Sequence, residues 1–254
     1  MIKDILVNLS YGTSQDGVSN YALSVAETFG AHIMGTAFAY NPVMASGFGF
    51  SANFIRARQP EAQERAASVA AAFDEATRRT GVSAETRRFE AGIGDVPTQF
   101  AHIARRFDLS VIGQFEGDRD HPTTNIVIEA ALFESGRPVL IVPFIQKDRL
   151  KLDHVMVCWD GSRAAARAVA DAMPFLTRSG KASIVIADIQ STKSADLPGA
   201  DIATHLTGHG VNVTIERIPV SKIDVSNTIL SMAVNVHFLH ACFLTVRTRF
   251  CSRR

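Results

Sequence analysis

The stretch Val155-Met156-Val157-Cys158-Trp159-Asp160-Gly161-Ser162 joins a short apolar run to a turn, and Ile5-Leu6-Val7-Asn8-Leu9 forms a similar apolar run near the start of the chain. Each run precedes an amphipathic stretch whose apolar residues follow in steps of four, three, one and three, which puts them on one helical face. These residues are Val18, Ala22, Val25, Ala26 and Phe29 in the first stretch, and Ala165, Val169, Ala172, Met173 and Leu176 in the second. A third pair repeats the same steps with Val96, Phe100, Ile103, Ala104 and Phe107, and with Val225, Ile229, Met232, Ala233 and Val236. Recurrence of the same elements in the same order indicates a tandem duplication.

Composition limits the classes of function open to this chain. Its 254 residues carry a formal net charge of +1, so there is no overall electrostatic attraction to nucleic acid or membrane. No apolar run reaches the roughly 18–20 residues that span a bilayer, and the first residues lack a signal-peptide pattern. The three cysteines, Cys158, Cys242 and Cys251, match neither a disulfide framework nor a zinc site. We therefore expect a cytoplasmic protein that binds neither nucleic acid nor membrane.

Apolar runs alternate with helical patterns along the chain, which predicts an α/β fold of two tandem domains, each with a parallel, doubly wound sheet. The predicted domains span 1–146 and 152–254, with a linker over 143–152. In the first, strands are predicted at 4–9, 32–39, 86–89, 109–112 and 138–142, with helices at 15–29, from Pro60 to Gly81, from Asp95, and at 124–134. Residues 41–59 are predicted to be a loop. In the second, strands are predicted at 154–159, 183–189 and 211–218, with helices at 163–177, 200–207 and 225–236.

The second domain is predicted to be incomplete. From Asp95 to Val142 the first copy has 47 residues (142 − 95), whereas 30 residues (254 − 224) follow the matching Asp224. Residues 233–254 contain no Asp, Glu or Gly but hold four Arg and two Cys. We expect one strand at 238–244 in this tail, and our hypothesis is that a reading-frame change replaced the natural ending.

The candidate ligand site is Asp160-Gly161-Ser162, which follows a predicted strand. Ligands of open parallel sheets bind beyond the carboxyl ends of the strands. Asp160 can accept a hydrogen bond from a ribose or adenine donor, Gly161 lets the backbone approach a ligand, and Ser162 can cap the next helix. The same tripeptide is also typical of an ordinary turn and helix N-cap, so both interpretations stay open at this point.

This strand, turn and helix, in a repeat of this size, resembles the universal stress protein family over the first copy and over the second up to about residue 236. The resemblance implies two tandem Rossmann-like (adenine nucleotide alpha-hydrolase-like) domains with open parallel sheets, the second of them incomplete. In the family members that bind ATP, an aspartate follows the first strand. A glycine loop follows the fourth strand, and it has the form G-x-x-G, then nine residues, then G-Ser/Thr. Its backbone N–H groups hold the phosphates. By this resemblance the residues that bind ATP or AMP are Asp160, Gly161, Ser162 and Asp188.

Both copies depart from the glycine-loop pattern. The loop of the second copy would fall near Cys242, where no glycine follows. In the first copy Ser10 takes the place of the aspartate, and the second glycine of Gly113-Gln114-Phe115-Glu116-Gly117 comes one residue late. Negative charges that would repel phosphate follow it, at Glu116, Asp118 and Asp120. The resemblance therefore implies a non-catalytic stress-response protein that acts by binding and by forming a homodimer through the last strand of its first domain, Val139–Val142.

Three alternatives remain beside this interpretation. The first is an ATP- or AMP-binding switch that uses Asp160; the second is an enzyme of the wider nucleotide-hydrolase-like group, for which no nucleophile or base is evident; the third is a non-functional truncation.

Other candidate residues have structural explanations. His205 and His209 could share a helix face as metal ligands, but no third ligand is near and we expect no metal. Trp159 is expected either to lie over an adenine ring or to pack on a helix. Cys158 is expected to be buried in its strand.

Overall fold

The computed structural model describes residues 1–9, 15–41, 52–92, 94–115, 123–188, 199–219 and 242–244. The chain divides into two compact units, Met1–Leu150 and Lys151–Arg254. None of the helices in the described ranges has the length and apolar character needed to cross a membrane.

The first unit alternates strands and helices along the chain. Its elements are β1 Asp4–Leu9, α1 Gln15–Phe29, β2 His32–Asn41, α2 Ala52–Thr80, β3 Ala84–Gly92, α3 Val96–Ala104, β4 Leu109–Gly113, α4 Thr124–Glu134 and β5 Val139–Val142. Its five strands lie in the order β3-β2-β1-β4-β5, and every neighbouring pair is parallel. The predicted α/β fold with a parallel sheet is confirmed.

The sheet of the first unit is covered on both faces, as expected of parallel strands. On one face Leu6 and Met34 belong to an apolar cluster with Phe100 of α3 and Val127 of α4. On the other face Phe73 of α2 lies so close to Gly35 that a Cβ there would come within 2.8 Å of the ring. The strand order changes direction between β1 and β4, because the connections cross on both faces of the sheet. The crevice at the carboxyl ends of these two strands is the topological switch point, where ligands bind in such folds.

Several predicted limits in this unit differ from the structure: β3 spans Ala84–Gly92 instead of 86–89, β2 extends to Asn41, and the start of α2 differs most. The helix expected to begin at Pro60 begins at Ala52, and Pro60 lies inside it. Residues 52–59 contain no glycine and consist largely of helix-compatible residues, so their propensity outweighs the single backbone hydrogen bond that proline removes. The rest of the predicted loop, 42–51, lies outside the described residues.

The second unit repeats the first part of this arrangement. Its elements are β6 His154–Cys158, α5 Arg163–Leu176, β7 Lys181–Asp188, α6 Ala200–Gly208, β8 Val213–Pro219 and β9 Cys242–Leu244. Strands β6, β7 and β8 form a parallel sheet in that order. Cys242–Leu244 is the described part of the strand predicted at 238–244. The helix predicted at 225–236 lies outside the described residues, and the reading-frame hypothesis stays a prediction.

The two sheets share one pairing register. Asp4 pairs with His32 in the first, and His154 pairs with Lys181 in the second. Likewise Ile33 pairs with Ala84, and Ala182 pairs with Val213. Counting along the strands, Ser183 therefore occupies the position that Met34 holds in the first unit.

Candidate functional site

The turn after β6 has a defined hydrogen-bond pattern. Trp159 N–H donates to the Val185 carbonyl at 2.9 Å, which keeps the chain beside β7. Gly161 has φ +73°, a left-handed conformation that favours glycine. Ser162 N–H then donates to Asp160 Oδ1 at 2.9 Å, and Ser162 Oγ accepts from Ala165 N–H at 3.1 Å as the N-cap of α5. The turn-and-cap interpretation of this tripeptide is thus present in the structure, and a ligand role would be additional to it.

The two predicted site aspartates lie at the same edge of the second sheet. Cys158, the last residue of β6, pairs with Val185 of β7, and Asp188 ends β7 three residues later. Asp160 follows Cys158 by two residues and is exposed. The exposed Asp160 carboxylate is suited to hydroxyl or amino donors of a ligand and repels phosphate.

In the first unit, the glycine of the expected phosphate loop has a packing role. Gly113 is the last residue of β4, and a Cβ there would lie 2.9 Å from Val18 Cγ2 of α1. Close packing of α1 on β4 therefore accounts for this glycine without any ligand. Ser10 and the acidic residues of 116–120 lie outside the described residues.

Tyr40 was not identified from the sequence, although it lies near the carboxyl end of β2. It is the penultimate residue of β2, and its hydroxyl is hydrogen-bonded with the side chain of Thr123, just before α4. Burial raises the pKa of Tyr40 above its ordinary value, and this hydrogen bond partly offsets the shift. The ring packs against the apolar cluster that contains Phe38. Because β1 lies between β2 and β4, the Tyr40–Thr123 contact bridges the two sides of the switch.

Trp159 and Cys158 lie at the end of β6 in different surroundings. Trp159 is partly buried and packs against the cluster that includes Val157 and Leu176, and whether it also lies over an adenine ring stays a prediction. Cys158, expected to be buried, is exposed. It is the last residue of the strand and points away from the face that carries Val155 and Val157, which is why that prediction was wrong.

A polar network across β6, β7 and β8 was also missed. Ser183 Oγ lies 2.8 Å from His154 Nε2 and 3.0 Å from Thr214 Oγ1, and it donates to Glu216 Oε1 at 2.7 Å. Because the hydroxyl proton goes to Glu216, His154 must donate through Nε2–H. In a hydrolase triad the acid contacts the histidine instead, and Ser183 is fully buried. The network therefore joins three strands and is not a nucleophile site.

His154 has a perturbed pKa. The pKa of this imidazole is lowered, and burial is the largest cause. The nearby positive charge of Lys181 lowers the pKa further, whereas the negative charge of Glu216 partly raises it.

The structure offers little for a metal ion. The rings of His205 and His209 meet edge to face with centroids 4.7 Å apart. Over the described ranges, no group of three or more His, Cys, Asp or Glu side chains is arranged to hold a metal.

Comparison with solved structures relates the fold to universal stress proteins. One from Archaeoglobus fulgidus DSM 4304 aligns with a TM-score of 0.66 and 19% identity, over 92% of this chain and 82% of its own. A putative universal stress protein from Pseudomonas aeruginosa UCBPP-PA14 aligns with a TM-score of 0.51 and 14% identity, over 93% and 80%. A functionally unknown protein from Pseudomonas aeruginosa PAO1 gives 0.52 and 14%, over 93% and 79%. No protein-family model and no curated protein matches the sequence. The chain therefore shares the fold of the universal stress proteins.

Proposed function

We propose that this chain is a regulatory protein of the universal-stress type that acts by ligand binding and self-association, without turnover chemistry. The observation that carries the ligand half of this proposal is the placement of Asp160 and Asp188 at one edge of neighbouring parallel strands. The shared fold supports the proposal, since that edge is where open α/β sheets bind ligands. A cytoplasmic location belongs to the same proposal, and cell fractionation would test it.

The proposed ligand is an adenine nucleotide held chiefly by its nucleoside part. The Asp160 carboxylate would accept from ribose hydroxyl groups, and Asp188 would lie beside the base or sugar. The negative charges that Asp160 and Asp188 bring to this edge of the sheet would oppose a triphosphate more than a monophosphate. We therefore expect AMP to bind at least as tightly as ATP.

Titration followed by the fluorescence of Trp159, the single tryptophan of the chain, would test this binding. Calorimetry would confirm the affinity. Asp160→Asn can still accept from Ser162 N–H, so it keeps the turn and removes only the charge. Asp160→Ala removes both. If the carboxylate contacts ribose, both variants lose about tenfold or more in affinity, since hydrogen bonds to charged groups contribute about 1.5–3 kcal/mol.

Asp153→Ala is the matched control, because Asp153 is an exposed carboxylate just before β6, at the opposite end of that strand. It should leave the affinity unchanged. Equal loss in the control and in Asp160→Asn, or no AMP binding by the unaltered chain, would contradict the proposed ligand.

The alternative is an ATP-dependent switch, which the same titration distinguishes. Micromolar binding of ATP with Mg²⁺, much tighter than AMP and abolished by Asp160→Ala, would favour that alternative. Phosphate or pyrophosphate release above background would instead indicate an enzyme. We expect neither result.

Self-association is proposed through β5. The exposed side chains of Phe144 and Ile145 follow this strand directly. A second chain that docks at this end of β5 would cover these apolar groups. Sedimentation at micromolar concentration should detect a dimer that Ile145→Asp weakens, while the control Ile215→Asp, at another exposed isoleucine, does not. A strict monomer would exclude the dimer.

A further inference from the structure

Residues 143–150, which follow β5 and are called the strap below, contact helix α1 at positions along its length. Near the start of α1, the strap backbone at Gln146 lies so close to Gly17 that a Cβ there would come within 2.8 Å of the Gln146 carbonyl oxygen. In the middle of α1, Leu150 N–H donates to Ser24 Oγ at 2.8 Å. Arg149 forms an ion pair with Glu27 beyond it. The strap therefore runs alongside α1 instead of crossing open solvent.

The strap also has internal order. Gln146 N–H donates to the Pro143 carbonyl at 2.9 Å, and Gln146 Nε2 donates to the Asp148 carbonyl at 3.1 Å. Gln146 is 7% exposed, although it lies between exposed neighbours. Ser24 is also buried, and its own hydroxyl donates to the Tyr21 carbonyl at 2.7 Å. Ser24 Oγ thus accepts from the strap and donates to the helix, so both elements share one satisfied hydroxyl.

The first turn of α1 is packed between the strap and strand β4. Gly17 meets the strap on one side, and the next residue, Val18, meets Gly113 at the end of β4 on the other. Each contact is so close that a Cβ atom on Gly17 or on Gly113 would clash with its neighbour. Interfaces packed this tightly transmit a displacement, because neither side can absorb it. Gly113 lies at the carboxyl edge of the first sheet, beside the switch point.

We propose that the first turn of α1 couples the carboxyl edge of β4 to the strap. Displacement of this turn would release residues 143–150, and with them the connection that leads into the second unit. The proposed device does not depend on nucleotide binding by the second unit.

Limited trypsin digestion would test the strap, because it contains exposed cleavage sites at Lys147 and Arg149, and Lys151 follows. In the unaltered chain the strap should protect these bonds. Ser24→Ala removes the acceptor of Leu150 N–H and should raise the cleavage rate about fivefold to tenfold, since cleavage follows the population of the open form. Amide exchange of Leu150 should accelerate by the same factor. Thr28→Ala is the control, because its hydroxyl bonds to the Ser24 carbonyl within the helix itself.

The glycine variants test the coupling. Gly17→Ala raises helix propensity but places a methyl group against the strap, so faster cleavage cannot come from a weaker helix. Gly113→Ala pushes Val18 and should also accelerate cleavage. Because Gly113 pairs with Val142, just before the strap, Val18→Ala in the same chain should restore protection if the effect passes through α1. Unchanged cleavage in Gly113→Ala would overturn the coupling. Cleavage of the unaltered chain as fast as that of Ser24→Ala would overturn the strap itself.

Discussion

Ser110 and Ser183 are both fully buried serines on parallel strands, but their hydroxyl groups have different surroundings. Ser110 Oγ has no hydrogen-bond partner within the described residues, whereas Ser183 Oγ contacts His154, Thr214 and Glu216. Removing an unpartnered buried hydroxyl costs little, while removing a partnered one leaves other polar groups unsatisfied. We expect Ser110→Ala to leave the free energy of unfolding unchanged or raise it by up to about 1 kcal/mol, and Ser183→Ala to lower it by about 1–3 kcal/mol.

Urea denaturation followed by circular dichroism would measure both serine variants on the same footing. Each substitution deletes one oxygen atom, so the two variants are matched in volume and each serves as the control for the other. A loss of more than about 1 kcal/mol in Ser110→Ala would indicate that a buried water satisfies Ser110, and would contradict this prediction.

At the scale of elements, α3 and α4 cap each other. Arg105 follows α3 and donates from Nε and from Nη2 to the Glu134 carbonyl at the end of α4, both at 3.2 Å. Arg137 returns a bond from Nε to the Arg105 carbonyl at 3.1 Å. Carbonyl groups at helix ends lack partners within the helix, and positive charge there is favourable.

Arg105→Ala should lower the free energy of unfolding by about 1 kcal/mol, because the carbonyl at the end of α4 loses its donor. Arg106→Ala, at the exposed next residue, should change it by less than about 0.5 kcal/mol. Thermal or urea unfolding would measure the change in the free energy of unfolding of each variant. Equal effects would mean that the contact of Arg105 with α4 contributes nothing measurable.

The limits of sequence prediction are clearest at this scale. The predicted limits of α1, α4 and β1 agree with the structure to the residue, because apolar period and flanking turn residues coincide there. The start of α2 was missed because its first residues have helix propensity without an apolar period. The Tyr40–Thr123 contact and the Ser183 network were missed for another reason. Strand pairing and topology bring those residues together, and a single sequence does not state them.

At the scale of the whole molecule, the two units differ on equivalent sheet faces. Met34 contributes to an apolar cluster in the first unit, and the matching position in the second holds Ser183 within a polar, partly charged network. That network includes His154, with the charged groups of Lys181 and Glu216 nearby. The second unit should therefore respond to pH in a way that the equivalent face of the first unit does not.

The pKa of His154 is lowered in the folded chain, so below about pH 6.5 the unfolded state binds more protons than the folded state. The free energy of unfolding of the second unit should therefore fall as pH drops from about 6.5 to the lowered pKa, and the contribution of His154 should level off below it. Trp159 lies in the second unit, so the urea midpoint of its fluorescence between pH 7.5 and pH 5 would measure this. His154→Gln should flatten that part of the slope, while His209→Gln, at an exposed histidine, should not. A slope identical in both variants would assign the effect to carboxyl groups and remove His154 from the explanation.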